Sequence, residues 1–454
     1  MSGLRLWRAA AAACFAALAS SALAQARLPA AQAASVPVAT SVEALGVGET
    51  TRLVFELTAS VEPQAYALAE PDRVIVDLPE VNFQIEPARG QPAAPRGPAS
   101  RKAAKVGQPL AGSIASYRFG LVSPGKSRVV IDLAYPVRIV RAFSEPLPRG
   151  GGARLVIELA RSDRASFMAE VGRSGRERAA VAQSAPVAGA PRESAAPREA
   201  SLPLVVLDPG HGGVDTGALG ASGVLEKEIV FEFAKALAAR LEAGKQVRVV
   251  MTRESDVFVS LGERVRRARA AGAALFISIH ADTLTDDRTV SGATVYTASE
   301  KASDAEAARV AEKENQADAI AGLDGRDDQS EVSDILVDLT RRETRTYSNV
   351  FARTLVDSWK DVGQLNKNPH RFAGFRVLKA HDVPSVLLEV GYLSSDRDLA
   401  TLTAPVWRDK ATGVVARSIE AFFRGRGTDG QARNAVGADP FGALAAPGSA
   451  APPR

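Results

Sequence analysis

Leu204 to Glu226 reads LVVLDPGHGGVDTGALGASGVLE. Its first four residues are apolar, and a short apolar run closed by a turn is the pattern of a buried strand. The turn is Asp208-Pro209-Gly210. His211 stands just past it, where a strand end presents a side chain to a cleft. Gly210, Gly212, Gly213, Gly217, Gly220 and Gly223 allow the backbone to fold closely around that histidine. Glu226 then opens an amphipathic segment, Glu226 to Leu241, that reads as a helix.

Outward from this stretch, strands and helices alternate. Val247–Thr252 reads as a strand, Leu261–Ala271 as a helix, and Leu275–Ile279 and Gly292–Thr297 as strands. Two long helical patterns follow, then strand Ser385–Leu388 and a closing helix, Trp407–Phe423. Such alternation predicts an α/β layered domain with a mostly parallel sheet and flanking helices, with ligands at the C-terminal strand ends. Strand Leu275–Ile279 runs into His280-Ala281-Asp282 and the last strand into Glu389. Strand ends thus deliver His211, His280 and Glu389, and a helix start delivers Glu226.

This residue set suits zinc hydrolysis. A catalytic zinc takes three protein ligands, often two histidines and a carboxylate, and keeps a position open for water. A further carboxylate outside the ligand set serves as base. His211, Glu226 and His280 are assigned as ligands and Glu389 as base. The alternative for each residue alone is a satisfied polar side chain at a sheet edge. Arg253 and Glu263, in TRESDVFVSLGERV, either shape the cleft or contact substrate, or form a surface ion pair. His370 and His381 read as loop residues without metal roles.

DPGHGGVDTGALGASGVLEKE, FISIHAD and PSVLLEVGYLSS together resemble the zinc-dependent N-acetylmuramoyl-L-alanine amidases of the cell-division (Amidase_3) type. The likeness runs from about Leu202 to Arg424. It implies Zn2+ bound by His211, Glu226 and His280, with Glu389 as catalytic base, and a peptidoglycan substrate.

The chain has 454 residues, room for two or three domains. A formal net charge of +4 gives no sign of nucleic-acid binding. Arg5, Arg8, the apolar Leu4–Ala19 and the small-residue site Ala22-Leu23-Ala24 read as a secretory signal peptide over residues 1–24. The sole cysteine, Cys14, falls inside it. An exported chain without disulfides suits a bacterial periplasm, with no membrane span in the mature form.

Residues 38–171 read differently. TRLVFELTA, DRVIVDLPEV, SIASYRFGLV, SRVVIDLAYPVRIV and ARLVIELARS have strand periodicity, which predicts a small antiparallel β-sandwich. Arg52–Leu57, Arg73–Leu78, Arg128–Leu133 and Arg154–Leu159 share one pattern: Arg, three apolar residues, an acid, Leu. It reads as the grammar of amphipathic strands, with a weak internal repeat as the alternative. The block resembles the AMIN domain that precedes such amidases, which implies a non-catalytic module that binds peptidoglycan. Glu86–Gly107 reads as a loop insertion, 172–201 as a disordered linker and 425–454 as a disordered tail.

Residues 299–362 form a helical insert. The family resemblance implies a regulatory helix that donates a carboxylate to the metal and blocks it. AEKENQAD singles out Glu314, with Glu300 and Glu312 as second choices. Val332, Ile335, Leu336 and Leu339 share one helical face, either core or a docking face for an activator. The resemblance implies an activator with a LytM-type domain. Two other functions fit the residues less well. A stem-peptide carboxypeptidase would need Arg376 or Lys379 to hold a free carboxylate. A non-catalytic wall-binding regulator would not need Glu389.

Overall fold

The computed structural model describes residues 36–91, 109–148, 150–184, 202–220, 223–283, 290–323 and 335–436. The chain divides into Met1–Val36 and Pro37–Arg454, and the elements below all belong to the second unit. The expected signal peptide, positions 92–107 of the insertion, 185–201 of the linker, Val332 and the tail past Val436 lie outside the described residues.

The N-terminal block is the expected antiparallel sandwich. Strands β1 (Val38–Val47), β2 (Thr50–Leu57), β5 (Asn82–Phe83), β8 (Val137–Pro146) and β9 (Ala153–Arg161) form one sheet, ordered β5-β1-β2-β9-β8. Strands β3 (Gln64–Leu68), β4 (Arg73–Pro79), β6 (Ile114–Ser123) and β7 (Lys126–Leu133) form the other, ordered β3-β4-β7-β6. Side chains alternate across each strand. Leu53, Phe55 and Leu57 of β2 thus meet Val74, Val76 and Leu78 of β4 in a shared core.

The four Arg-apolar-acid strands prove to be adjacent interior strands, one pair in each sheet. Arg52 opposes Glu158 and Glu56 opposes Arg154 between β2 and β9. Arg73 opposes Asp132 and Asp77 opposes Arg128 between β4 and β7. The repeated sequence is therefore a repeated cross-strand pairing, each sheet placing opposite charges face to face.

Helix α1 (Arg164–Ser184) follows β9. It corrects the expected linker, which was to begin at residue 172. The stretch is poor in apolar residues, but alanine, arginine and glutamate are good helix formers. Phe167, fully buried, anchors its start.

The C-terminal block is a six-stranded sheet with helices on both faces. Its strands are β10 (Leu204–Pro209), β11 (Arg248–Met251), β12 (Leu275–His280), β13 (Ala293–Ala298), β14 (Leu365–Ala373) and β15 (Ser385–Glu389), ordered β11-β10-β12-β15-β13-β14. Every neighbouring pair is parallel except β13 with β15. Helices α2 (Glu226–Gly244), α3 (Leu261–Ala270), α4 (Ala305–Glu314), α5 (Ala317–Ile320), α6 (Ile335–Trp359), α7 (Asp396–Leu402) and α8 (Pro405–Val436) flank it. One face packs Val205, Leu207, Ile277 and Leu388 against α2, α6 and α8. The other packs Val206, Phe276 and Leu387 against Leu261 of α3 and Val310 of α4.

Two sequence expectations need correction. His370 lies in β14, half-buried, with Nε2 3.3 Å from Thr297 Oγ1, and not in a loop. Lys367, Asn368 and Pro369 interrupt the apolar alternation there and mask the strand. The final helix runs from Pro405 to Val436, past the expected end at Phe423. Ile335, Leu336 and Leu339 fall in the first turns of α6.

Candidate metal centre

Strands β10, β12 and β15 run side by side and end together, with His280 directly opposite Glu389. The chain leaving β10 turns sharply at His211, which adopts a left-handed φ of 57°. Residues without a glycine's freedom take that conformation rarely, and its occurrence at a functional side chain is typical of stored local strain. Two glycines make the packing possible. A Cβ on Gly210 would meet His280 Cε1 at 2.5 Å, and one on Gly217 would meet Glu226 Oε2 and His211 Cδ2 at 2.7 Å. The imidazoles therefore approach the backbone as closely as two rings with centroids 4.9 Å apart require.

His211, His280, Glu226 and Glu314 converge. Glu226 Oε1 lies 3.1 Å from His211 Nε2 and 3.2 Å from His280 Nδ1. Glu314 Oε2 lies 3.5 Å and 3.1 Å from the same two atoms. All four side chains are buried. His211, His280 and Glu314 each bring one donor atom within 4.8 Å of the others, a metal-binding triad. His211 Nε2 is buried and forms no hydrogen bond among the described residues, despite the nearby carboxylates. Two ring nitrogens and two carboxylates around one point, one nitrogen left unbonded, fit a divalent cation.

The electrostatics agree. Burial opposes protonation of His211, yet Asp215, Glu226 and Glu314 hold it well above the usual histidine range. Burial likewise opposes protonation of His280, but Glu314 and Glu226 push it up to about 10. Burial would raise Glu226, but His211 and His280 hold it well below the ordinary carboxylate range. The carboxylates around the two rings thus favour positive charge at this point of the pocket.

Glu389 is fully buried at the end of β15. Its Oε2 accepts from Asp282 N at 3.0 Å, and Oε1 is without a hydrogen-bond partner among the described residues. Burial, with Asp282, Glu226 and Glu314 adding and His280 opposing, lifts it well above the carboxylate range.

Glu314 closes α4 and is 4% exposed, whereas Glu300 and Glu312 face solvent. Its helix lies over the site by several contacts. Lys313 Nζ pairs with Asp282 Oδ1 and sits 3.4 Å from Thr283 Oγ1. Asn315 Oδ1 accepts from Arg376 N at 2.7 Å, and Asp318 Oδ1 accepts from Leu261 N at 2.9 Å.

The Amidase_3 family model, described as N-acetylmuramoyl-L-alanine amidase, matches residues 205–421. The chain is 31% identical over 385 residues to the N-acetylmuramoyl-L-alanine amidase AmiC of Neisseria meningitidis serogroup B, covering 82% of this chain and 87% of that one. The chain belongs to the N-acetylmuramoyl-L-alanine amidases. A second AmiC, from Escherichia coli O6:H1, is 29% identical over 381 residues, covering 82% of this amidase and 86% of that protein. AmiA of Escherichia coli K12 is 36% identical over 221 residues, 48% of this chain and 76% of that one. Among the described residues of the amidase, no helix is long and apolar enough to cross a membrane.

Several supporting residues of the amidase escaped the sequence reading. Asp215 Oδ2 sits 2.9 Å from His211 Nδ1 and fixes the ring so that Nε2 faces inward. Asp208, fully buried, binds Arg264 at 2.7 Å, Thr252 at 2.5 Å and Ser278 at 2.7 Å. Arg264 Nη2 donates on to His211 O at 2.8 Å. Arg253 is buried and donates to Pro209 O and Gly210 O, each at 3.0 Å, which answers the choice left open for it: it braces the His211 loop. Glu263 instead pairs with Arg266 and Arg267 on the surface.

Proposed function

We propose that the amidase is a zinc enzyme with His211, Glu226 and His280 as its ligands, Glu389 as base and Glu314 as an inhibitory fourth ligand. The observation that carries it is the approach of two carboxylates, from α2 and α4, to the same pair of imidazole nitrogens. One belongs to the rigid start of a core helix, where Glu226 Oε1 and Oε2 also accept from Ala281 N and Ala218 N at 2.9 and 2.8 Å. The other is carried on a separate helix that covers the site. The first suits a permanent ligand and the second a removable one.

When bound, zinc would polarise the scissile carbonyl and make water acidic enough to attack near neutral pH. The remaining work falls to this chain. Glu389 Oε1, buried and unbonded, accepts the proton of the attacking water. As the bond between the lactyl carbonyl carbon and the L-alanine nitrogen breaks, Glu389 returns that proton to the departing amine. Asp215 holds His211 in the tautomer whose Nε2 is free for the metal, and Asp282 N holds the other oxygen of Glu389.

The proposal extends to biology. Export by the signal peptide to the periplasm, wall binding by the AMIN-like sandwich, septal wall splitting and release of Glu314 by a LytM-domain activator follow from the family reading. Peptidoglycan digestion tests the core of it. Zinc-loaded wild type, Glu314→Ala and Glu389→Ala are incubated with purified sacculi, and released stem peptides are identified by mass. Activity rising in Glu314→Ala and vanishing in Glu389→Ala is the expected result. Cleavage inside the stem peptide would favour the carboxypeptidase alternative instead.

A further inference from the structure

The short helix α5, which follows the helix that ends in Glu314, is gripped at its C-terminal turn by the β-sandwich. Helix α5 finishes in a turn whose carbonyls face sheet β3-β4-β7-β6. Arg118 Nε donates to Ile320 O at 2.8 Å. Arg128 Nη1 donates to Ala321 O at 2.9 Å and to Gly322 O at 3.2 Å, and Arg73 Nη1 donates to Ala319 O. The last carbonyls of a helical segment lack partners within it and carry partial negative charge. Guanidinium groups satisfy both needs.

The arginines are held in place for this contact. Asp132 takes two bonds from Arg118, at 2.7 and 3.1 Å. Asp77 takes two from Arg128, at 2.6 and 3.0 Å. Around them Ala321 packs with Tyr66, Ile75 and Val130 from the sandwich and Val214 and Phe258 from the catalytic block. Gly322 lies so near that a Cβ there would meet Ile75 Cδ1 at 2.5 Å. The other sheet carries the same Arg–acid ladder without such a partner among the described residues. Arg52 and Arg154 of that ladder have side chains 52% and 43% exposed, against 9% for Arg128.

We propose that sheet β3-β4-β7-β6 is a docking surface for the carbonyl turn at residues 319–322, and that this docking latches Glu314 onto the metal site. The proposal rests on the blocking role given to Glu314. Backbone bonds from Gln316 N to Lys313 O and from Ile320 N to Gln316 O join α5 to α4, so a shift of the turn is transmitted to Glu314. The sandwich is then part of the inhibitory device, and an activator must free the turn as well as the carboxylate.

The test measures basal hydrolysis of dye-labelled peptidoglycan by the full chain, without activator. The variants are Arg118→Ala/Arg128→Ala, Ala321→Asp, Arg154→Ala and Glu314→Ala. Ala321→Asp attacks the docking from the helical side and leaves every sandwich residue intact, so a misfolded sandwich cannot account for its effect. The latch predicts that the first two variants raise the basal rate about tenfold, the equivalent of about 1.4 kcal/mol. Hydrogen exchange across residues 305–322 accelerates in both, and Arg154→Ala stays at the wild-type rate. If Glu314→Ala raises the rate while both docking variants remain at the wild-type level, the latch is wrong and the blocking role stands. If Glu314→Ala leaves the rate unchanged, the blocking role falls and the latch falls with it.

Discussion

Removal of Asp215 should weaken metal binding without touching a ligand. Asp215 is 1% exposed, and its Oδ2 lies 2.9 Å from His211 Nδ1. Its Oδ1 accepts from Gly217 N at 3.1 Å, on the loop that wraps the two rings. Asp215→Ala leaves the Nδ1 proton and the Gly217 amide without their acceptor and frees the ring to rotate. It also withdraws a negative charge that makes His211 a better donor. Loss of such a supporting carboxylate typically costs about 10- to 100-fold in metal affinity, or about 1.4 to 2.7 kcal/mol. Asp215→Asn keeps an oxygen acceptor but not the charge, so its loss should fall near the lower end. Zinc affinity is read by competition with a chromophoric chelator at constant pH, with thermal unfolding as the folding control. Because Glu314 offers another donor, the series is repeated in Glu314→Ala. An affinity within about twofold of the parent in both backgrounds would refute the orienting role.

Glu389→Gln should keep full zinc content and lose about 10²- to 10⁴-fold in turnover, as expected for a general base; retained turnover at normal zinc content would remove Glu389 from that role. Arg264→Met strands the fully buried Asp208 carboxylate and should cost about 3–5 kcal/mol in chemical denaturation. A loss under about 1 kcal/mol would show that Thr252 and Ser278 suffice. Asp208 also sets an acid response. Burial alone would raise its pKa, but Arg264, Thr252 and Ser278 hold it below the ordinary range. Its stabilisation is therefore fully present above the unfolded value of about 3.9 and is lost as pH falls through the lower folded value. Asp208→Asn should be weaker at neutral pH yet lose less stability between about pH 4 and about pH 2 than wild type; equal acid losses would contradict the pairing.

The catalytic half was legible because its information is local. Each of His211, His280 and Glu389 follows an apolar strand within a few residues, and parallel strands bring their C-terminal ends to one edge. Glu226 was readable for the same reason, as the first residue of an amphipathic helix. Asp215 lies in the quoted stretch too, but nothing in its spacing says that a left-handed His211 turns Nδ1 toward it. Arg264 and Arg253 were harder. Their work is done through backbone carbonyls of another segment, and a carbonyl has no letter in the sequence.

The same reason hid the contact between the sandwich and the turn after α5. The Arg–acid pattern appears four times, and its grammar predicts only strands with paired charges. Two of the four strands keep that role alone: Arg52 and Arg154 bond to Glu158 and Glu56 across the ladder. On the other sheet Asp77 and Asp132 still neutralise arginines, but the guanidinium groups have further donors, and these go to the turn after α5. An arginine's planar fork permits this double use, which a lysine's single ammonium would not orient. Arg118→Lys should therefore keep the charge near Asp132 and still loosen the turn, raising basal hydrolysis toward the level of Arg118→Ala. If the lysine variant stays inhibited while the alanine variant is activated, charge rather than fork geometry holds the helix down.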